Sequence, residues 1–421
     1  MRKFKNITIG GIQQKIFNLV LITILLMMAA YTAVIIYQTS HLTKIVSDSS
    51  AKQKELITST SEETMVTILE SNMTQSTQME AYIAEDLFGD AISVVDIVAD
   101  YTYKLFTSPS EYNEREVSLP DQTKNGEITV QLLTEEGVDI NDPDISSKLK
   151  LIGNLSDLMT AVYKNASVDS CYCALPDGVM LLVDNHSASK FDNNGEIIPI
   201  PIRNRLWYKG AVETKKLHFT DVTTDIFTKE ISIMCSLPVY VNDELVAVIG
   251  ADLFLNDISS DVENLDNNGG FVCIVNQNGH VIFSPEIDGI FRLIPAEEAR
   301  DLRELEHEEL ARFVNDALNG NTDLRLINLY GEEFYVCGAQ IKNVGWAVLS
   351  VVPKALADKP SVQMVKELNT IQANATETFN KGMNNAKITI TVLLGVIIIV
   401  AVSAAILLSK RIIKPLELIT Q

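Results

Sequence analysis

Basic residues are scarce in this chain: 34 Lys and Arg stand against 55 Asp and Glu, a formal net charge of −21 over 421 residues. A molecule of that sign repels phosphate backbones and anionic lipid, which argues against nucleic acid as a partner. Cysteine is scarce as well. The five, Cys171, Cys173, Cys235, Cys273 and Cys337, are odd in number and follow no repeated framework, so they do not read as a disulfide scaffold. Each lies in an apolar, strand-like run, where a free thiol is an ordinary core residue. Cys171 and Cys173 share one face of a strand, but no Cys or His cluster completes a tetrahedral set, and neither a metal nor another cofactor is expected. Enzyme motifs are missing too. His307-Glu308-Glu309-Leu310-Ala311 stops short of a second zinc histidine, no Gly-x-Ser-x-Gly turn occurs, and no glycine-rich loop runs into Lys followed by Ser or Thr. No catalytic residue is therefore assigned within these 421 residues.

What the chain does have is two long uncharged runs. Ile16 to Tyr37 spans 22 residues and Ile388 to Leu408 spans 21. At about 1.5 Å per residue each reaches roughly the 30 Å of a bilayer's hydrocarbon, so both read as membrane-spanning helices. The first run is longer than the apolar core of a signal peptide, and Gln38-Thr39-Ser40-His41 offers no small-x-small cleavage site. Arg2, Lys3, Lys5 and Lys15 precede the first run with no acid among them; Lys410, Arg411 and Lys414 follow the second against the single acid Glu417. Both ends are therefore expected in the cytoplasm of a two-span protein of the cell membrane, with the middle outside. Of the −21, the ends contribute +4 and +2, which leaves −27 between the spans.

Between the runs, Ile83, Leu87, Ala91, Val94, Val98, Tyr101 and Leu105 step by three or four and mark one face of a long helix rising from the first span. Residues 107–150 read as loop-rich, with Pro109, Pro120 and Pro143 as breakers, and a short helix is expected over Leu151–Val162. Strands follow at Asp169–Leu175, Gly178–Val183, Leu217–Thr220, Glu230–Val239 and Glu244–Leu255, the last two joined by Asn242-Asp243. A second, shorter unit repeats the theme. It has strands at Gly270–Asn276 and His280–Ser284, a helix over Ala296–Leu318, and strands at Asp323–Leu329, Glu333–Ile341 and Trp346–Val352. From Ser361 to Lys387 a helix runs into the second span. The fold class is α+β: antiparallel sheets covered by helices.

Local phrases within this pattern are similar to a known family. Arg205-x-Trp207-Tyr208, Phe219-Thr220-Asp221 and Val248-Ile249-Gly250-Ala251-Asp252-Leu253 resemble the membrane-distal module of double-Cache receptors. Phe271-Val272-Cys273-Ile274-Val275, Asn278-Gly279 and Gly345-Trp346-Ala347-Val348 resemble their membrane-proximal module. The resemblance covers residues 40–385. It implies two PAS-like antiparallel-sheet modules after a long N-terminal helix, bracketed by two transmembrane helices. The implied division is a cytoplasmic N-terminus 1–15, span 16–37, long helix 38–105, distal module 106–262, proximal module 263–358, connecting helix 359–387, span 388–408, and 409–421. In that last stretch Ile412-Ile413-Lys414-Pro415-Leu416-Glu417 resembles the opening of a HAMP signalling module. In such receptors HAMP leads into an output: chemotaxis-signalling helices, a histidine kinase, a diguanylate cyclase or a serine phosphatase. The output is thus expected beyond Gln421 and could itself be an enzyme. A homodimer is implied, since HAMP helices pair as parallel coiled coils.

In the amino-acid-binding branch of that family an Arg and a Trp backbone hold the ligand carboxylate and two Asp hold its ammonium. Residue by residue, the resemblance puts Arg205 and Trp207 on a carboxylate, Asp221 and Asp252 on an ammonium, and Tyr208 along the pocket. A guanidinium matches a carboxylate with two parallel donors, and a desolvated ammonium needs anions around it. The chain departs from the branch at Ile200 and Phe219, where the pattern has tyrosines, so two hydroxyls are absent. Each residue also has a plainer role open to it. Trp207 and Tyr208 suit core aromatics, Asp252 suits a cap at a strand end, and Asp221 and Asp225 suit turns. The expected function is a transmembrane receptor for a small molecule: an amino acid, an amine or a small carboxylate. The competing reading is a membrane-anchored binding or adhesion protein with no signalling output.

Overall fold

The computed structural model describes residues 9–255, 270–295, 298–321 and 323–419. The expected module boundary at 262/263, the basic residues Arg2, Lys3 and Lys5, and the start of the expected helix at Ala296 lie outside them. Helix α1 (Ile9–Thr107) is continuous for 99 residues. It carries no Pro, which would cost a backbone hydrogen bond and clash with the preceding turn. The chain divides into two compact units, residues 1–66 together with 359–421, and residues 67–358.

In the first unit, α1 and the C-terminal helix each hold a stretch long and apolar enough to cross a membrane, none of it buried within the protein. Met27, Met28 and Tyr31 of the one share a crevice with Ile390, Leu393, Leu394 and Ile397 of the other. The two stretches therefore lie side by side.

The second unit holds two antiparallel sheets. β1 (Thr129–Thr134), α2 (Pro143–Ile152), α3 (Ser156–Asn165), β2 (Ser170–Leu175), β3 (Val179–Asp184), α4 (Leu206–Thr214), β4 (His218–Phe219), β5 (Thr223–Thr224), β6 (Ile231–Val241) and β7 (Glu244–Phe254) build the distal one. Its order is β1-β3-β2-β7-β6-β4, with β5 beside β6. β8 (Phe271–Val275), β9 (Val281–Phe283), α5 (Glu308–Leu318), β10 (Arg325–Leu329), β11 (Glu332–Ile341) and β12 (Trp346–Pro353) build the proximal one, in the order β10-β11-β12-β8-β9. Helix α6 (Lys359–Ile419) follows and includes Ile412–Glu417.

Local chemistry accounts for the joints. Asn242 and Asp243 hold φ of 50° and 65°, the doubly left-handed pair that a two-residue hairpin requires and that Asn and Asp tolerate. α2 starts where Asp142 accepts from the amides of Asp144 and Ile145 and Pro143 supplies a pre-set φ. Three expectations change. Residues 107–150 hold a strand and most of a helix, because Leu132 and Leu133 of β1 and Leu149 of α2 are buried in the core. A short helix, α4, occupies 206–214. The helix expected from Ala296 forms only at Glu308, since residues 299–307 are irregular.

Both sheets turn one face to α1. The deepest residues of its stripe are Phe88, Ala91, Val95, Val98 and Leu105, all fully buried, while Ile83 and Leu87 sit at its margin. On the distal sheet, Cys171, Cys173, Val179, Leu181, Val183, Cys235, Ile249 and Ala251 join this core. On the proximal sheet, Ile274, Ala339, Ile341, Trp346 and Val348 do the same. At the meeting point the rings of Phe88, Phe219 and Trp346 stand edge to face, with centroids 4.8 to 5.8 Å apart. All five thiols are buried, and none of them is joined in a disulfide to another described residue. Burial pushes Cys173 up to about 12 and Cys171 and Cys273 higher still, so they serve as small apolar fillers.

Candidate functional site

The opposite face of the distal sheet holds a hollow with about 490 Å³ of space between its atoms, open solvent at its mouth included. Strand register explains its floor. Ser170 of β2 and Met234 of β6 each pair with Asp252 of β7, and Tyr172 pairs with Gly250. Leu182 of β3 pairs with Tyr172 and Met180 with Ala174, so alternate residues of four strands point into one hollow. Gly250 is required here, because a Cβ would lie 2.2 Å from the Tyr172 ring. The ring settles over the glycine, and its hydroxyl donates to Asp252 at 3.0 Å; Ser170 donates to the other oxygen at 2.6 Å.

Asp252 is buried, and desolvation pushes its carboxyl up to about 7. The nearby Asp225 carboxylate adds to the rise, against the two hydroxyls and the Arg205 guanidinium. Asp225 also lines the cavity. One of its oxygens accepts from the amides of Phe227 and Thr228 and from the Thr228 hydroxyl, which holds the loop after β5. Arg205, half-buried at the start of α4, makes no side-chain hydrogen bond among the described residues and borders the same space. Asp169, Asp184, His186 and Lys190 complete the charged lining, while Met180, Leu182, Ile200, Trp207, Phe227 and Phe254 provide apolar wall.

Of the five residues singled out in the sequence, the structure brings Arg205, Trp207 and Asp252 together on this cavity. It does not bring Tyr208 or Asp221. Tyr208 turns into the apolar cluster behind Trp207, ring centroids 5.6 Å apart, and burial pushes its hydroxyl up to about 12. Asp221 faces the proximal module instead. It accepts from the Asn276 side chain and meets His280 Nδ1 at 3.1 Å. Asp225, four residues on, is the carboxylate that lines the cavity; in the sequence it shows only as a turn former, a role it also fills. Ser170 and Tyr172 were missed, although their i, i+2 spacing on a strand paired with Asp252 is the signal that could have found them.

A second hollow, about 650 Å³, lies at the edge of the proximal module beside Arg292, Arg300 and Tyr330, all exposed. Among the described residues no group of three or more His, Cys, Asp or Glu side chains is arranged to hold a metal ion.

Residues 177–260 match the family model of the methyl-accepting chemotaxis protein-like first PDC sensor domain, a stretch that contains Arg205, Trp207, Asp225 and Asp252. That stretch is thus similar to a PDC-type sensor module. The chain is also similar to the periplasmic sensory domain of the Campylobacter jejuni chemoreceptor Tlp1, at 15% identity over 70% of this chain and 99% of that one, TM-score 0.47. The ligand-binding domain of the Pseudomonas fluorescens chemoreceptor CtaA, solved with L-isoleucine, is 16% identical over 71% and 98% of the two chains, TM-score 0.43. That of the Pseudomonas aeruginosa amino acid chemoreceptor PctB, solved with L-Arg, is 13% identical over 69% and 97%, TM-score 0.42.

Proposed function

We propose that this protein is a two-span membrane receptor whose outward-facing distal module binds a small zwitterion, an α-amino acid or close relative. The carrying observation is the pairing of opposite charges on one largely apolar cavity: Arg205, with no side-chain hydrogen bond among the described residues, and the carboxylates Asp252 and Asp225. A guanidinium offers a carboxylate two parallel donors, and two carboxylates around one apolar hollow suit an ammonium stripped of water. The basic flanks of both apolar stretches support an outside location for the cavity. Binding would bias the sensor between two arrangements by its difference in affinity for them, and α6 is the element that continues from the sensor toward the second apolar stretch. A dimer and an output beyond HAMP belong to the same reading.

Calorimetry on the full chain in detergent, titrated with amino acids and amines, tests the site. Arg205→Ala and Asp252→Ala are each expected to weaken binding roughly 30-fold or more, as truncating one partner of a buried charge pair does. Unchanged affinity in Asp252→Ala would remove the assignment. Because the ammonium needs the ionised carboxylate, affinity should fall about tenfold per pH unit once pH drops below the Asp252 value near 7.

A further inference from the structure

Lys190 is an unusual tenant of the cavity wall. It is only 2% exposed, and its ammonium lies 2.6 Å from Asp184 and 3.3 Å from the Ser189 hydroxyl. The same ammonium sits 3.9 Å from the centre of the Phe227 ring. A carboxylate on one side and an aromatic face on another is the set with which proteins recognise a ligand's cation. Here the chain supplies the cation itself. Asp184 is held ready for it. Its other oxygen accepts from Gln131 Nε2 at 2.9 Å and from the amide of His186 at 3.1 Å. Among the described residues the Gln131 side-chain carbonyl oxygen is buried with no hydrogen-bond partner.

Asp184, His186, Lys190 and Phe227 line the same space as Arg205 and Asp252. The lysine stem therefore occupies volume continuous with the candidate ligand cavity, and its charge meets anything that enters.

Building on the zwitterion reading, we propose that Lys190 is a built-in occupant of the ligand's side-chain subsite. Its ammonium holds the place that a cationic side chain would take, and so restricts the site to zwitterions whose side chain is uncharged. Asp184 neutralises Lys190, so the pair gives no net attraction to an acidic side chain either. Removing the lysine tail should expose a waiting carboxylate and change the charge class of ligand accepted.

The test compares the full chain in detergent with Lys190→Ala and with the double variant Lys190→Ala, Asp184→Asn. Wild type is expected to bind L-leucine at least tenfold more tightly than L-ornithine, because the Lys190 ammonium already fills the niche beside Asp184 that the ornithine side chain would need. In Lys190→Ala the ornithine-to-leucine affinity ratio should rise by roughly tenfold or more, and the double variant should lose that gain. A second arm uses n-propylammonium, which has the three carbons and the ammonium of the deleted tail. At millimolar concentration it should raise the melting temperature of Lys190→Ala while leaving wild type and the double variant unmoved. A Lys190→Ala protein that folds only with propylammonium supports the proposal. One that stays unfolded with it, while the double variant folds, overturns it. So does an unchanged ornithine-to-leucine ratio, or a wild type that binds ornithine as well as leucine. If wild type binds no amino acid at all, the zwitterion reading fails, and the propylammonium arm still decides the role of Lys190.

Discussion

The two sheets of the second unit present the same problem and solve it differently. Each gives one face to α1 and must cover the other. Over the proximal sheet, α5 inserts Leu310, Phe313, Val314 and Ala317 against Cys273, Leu349 and Val351, and the layer is apolar throughout. Over the distal sheet the cover is α4 with its flanking loops. Beneath them lie Asp252, Ser170, Asp184 and Lys190, buried polar groups beside open space. One face is filled for stability; the other forgoes packing to keep charge and volume. Apolar filling stabilises by transfer and close contact, whereas each buried charge subtracts unless paired.

That contrast can be broken by experiment. The largest effect is expected from Phe313→Ala, which should lower unfolding stability by about 3–5 kcal/mol in denaturant melts and leave ligand affinity within twofold. Lost binding there would mean the proximal layer is part of the site. Asp252→Asn should do the reverse. The carboxyl sits near 7 when folded and at its ordinary low value when unfolded, so the stability tied to it is complete at acid pH and lost as pH rises through 7. At pH 8 the amide should therefore raise stability by about 4 kcal/mol while abolishing binding. A destabilised Asp252→Asn would show that the ionised form is already compensated.

Glu80 sharpens the comparison, being a buried carboxyl on the α1 side of the proximal sheet. It is 1% exposed, with hydroxyls of Ser76 and Ser350 at 3.3 and 3.2 Å, and Thr77 bonded to Ser350 at 2.7 Å. Desolvation pushes it up to about 7 from a model-peptide value of 4.5, so its contribution is also present in acid and lost as pH rises through 7. Glu80→Gln should add about 3 kcal/mol at pH 8, nothing at pH 4, and flatten the melting-temperature profile between. The smallest effect is expected at Asp221. Asp221→Asn should cost about 1 kcal/mol through its contacts with Asn276 and His280 and leave ligand affinity unchanged. A tenfold loss of affinity would return Asp221 to the site.

Most of the strands were legible because apolar alternation and turn residues such as Asn242-Asp243 are local signals. β1 was hidden by the prolines and acids that surround it; only pairing with β3 makes Leu132 and Leu133 core. α4 was hidden because Leu206–Thr214 spans little more than two turns, too short for a periodic stripe. Arg205, Trp207 and Asp252, which line the cavity, are singled out in the sequence by resemblance. Asp184, Lys190 and Ser170 were not, since their importance depends on which strands lie side by side. Asp221 illustrates the limit: four residues separate it from Asp225, and the course of β5 decides which carboxylate meets the cavity and which meets the neighbouring module.

Phe88, Phe219 and Trp346 come from a helix and from two different sheets, and their rings interlock at right angles. Interlocked rings do not glide; they keep their seats or jump to new ones. A shift of β4 against α1 would therefore have to carry the Trp346 ring of β12 with it. With a smaller residue at position 88 the helix would lose both of its ring contacts, and only the Phe219–Trp346 pair would still join the two sheets at this point.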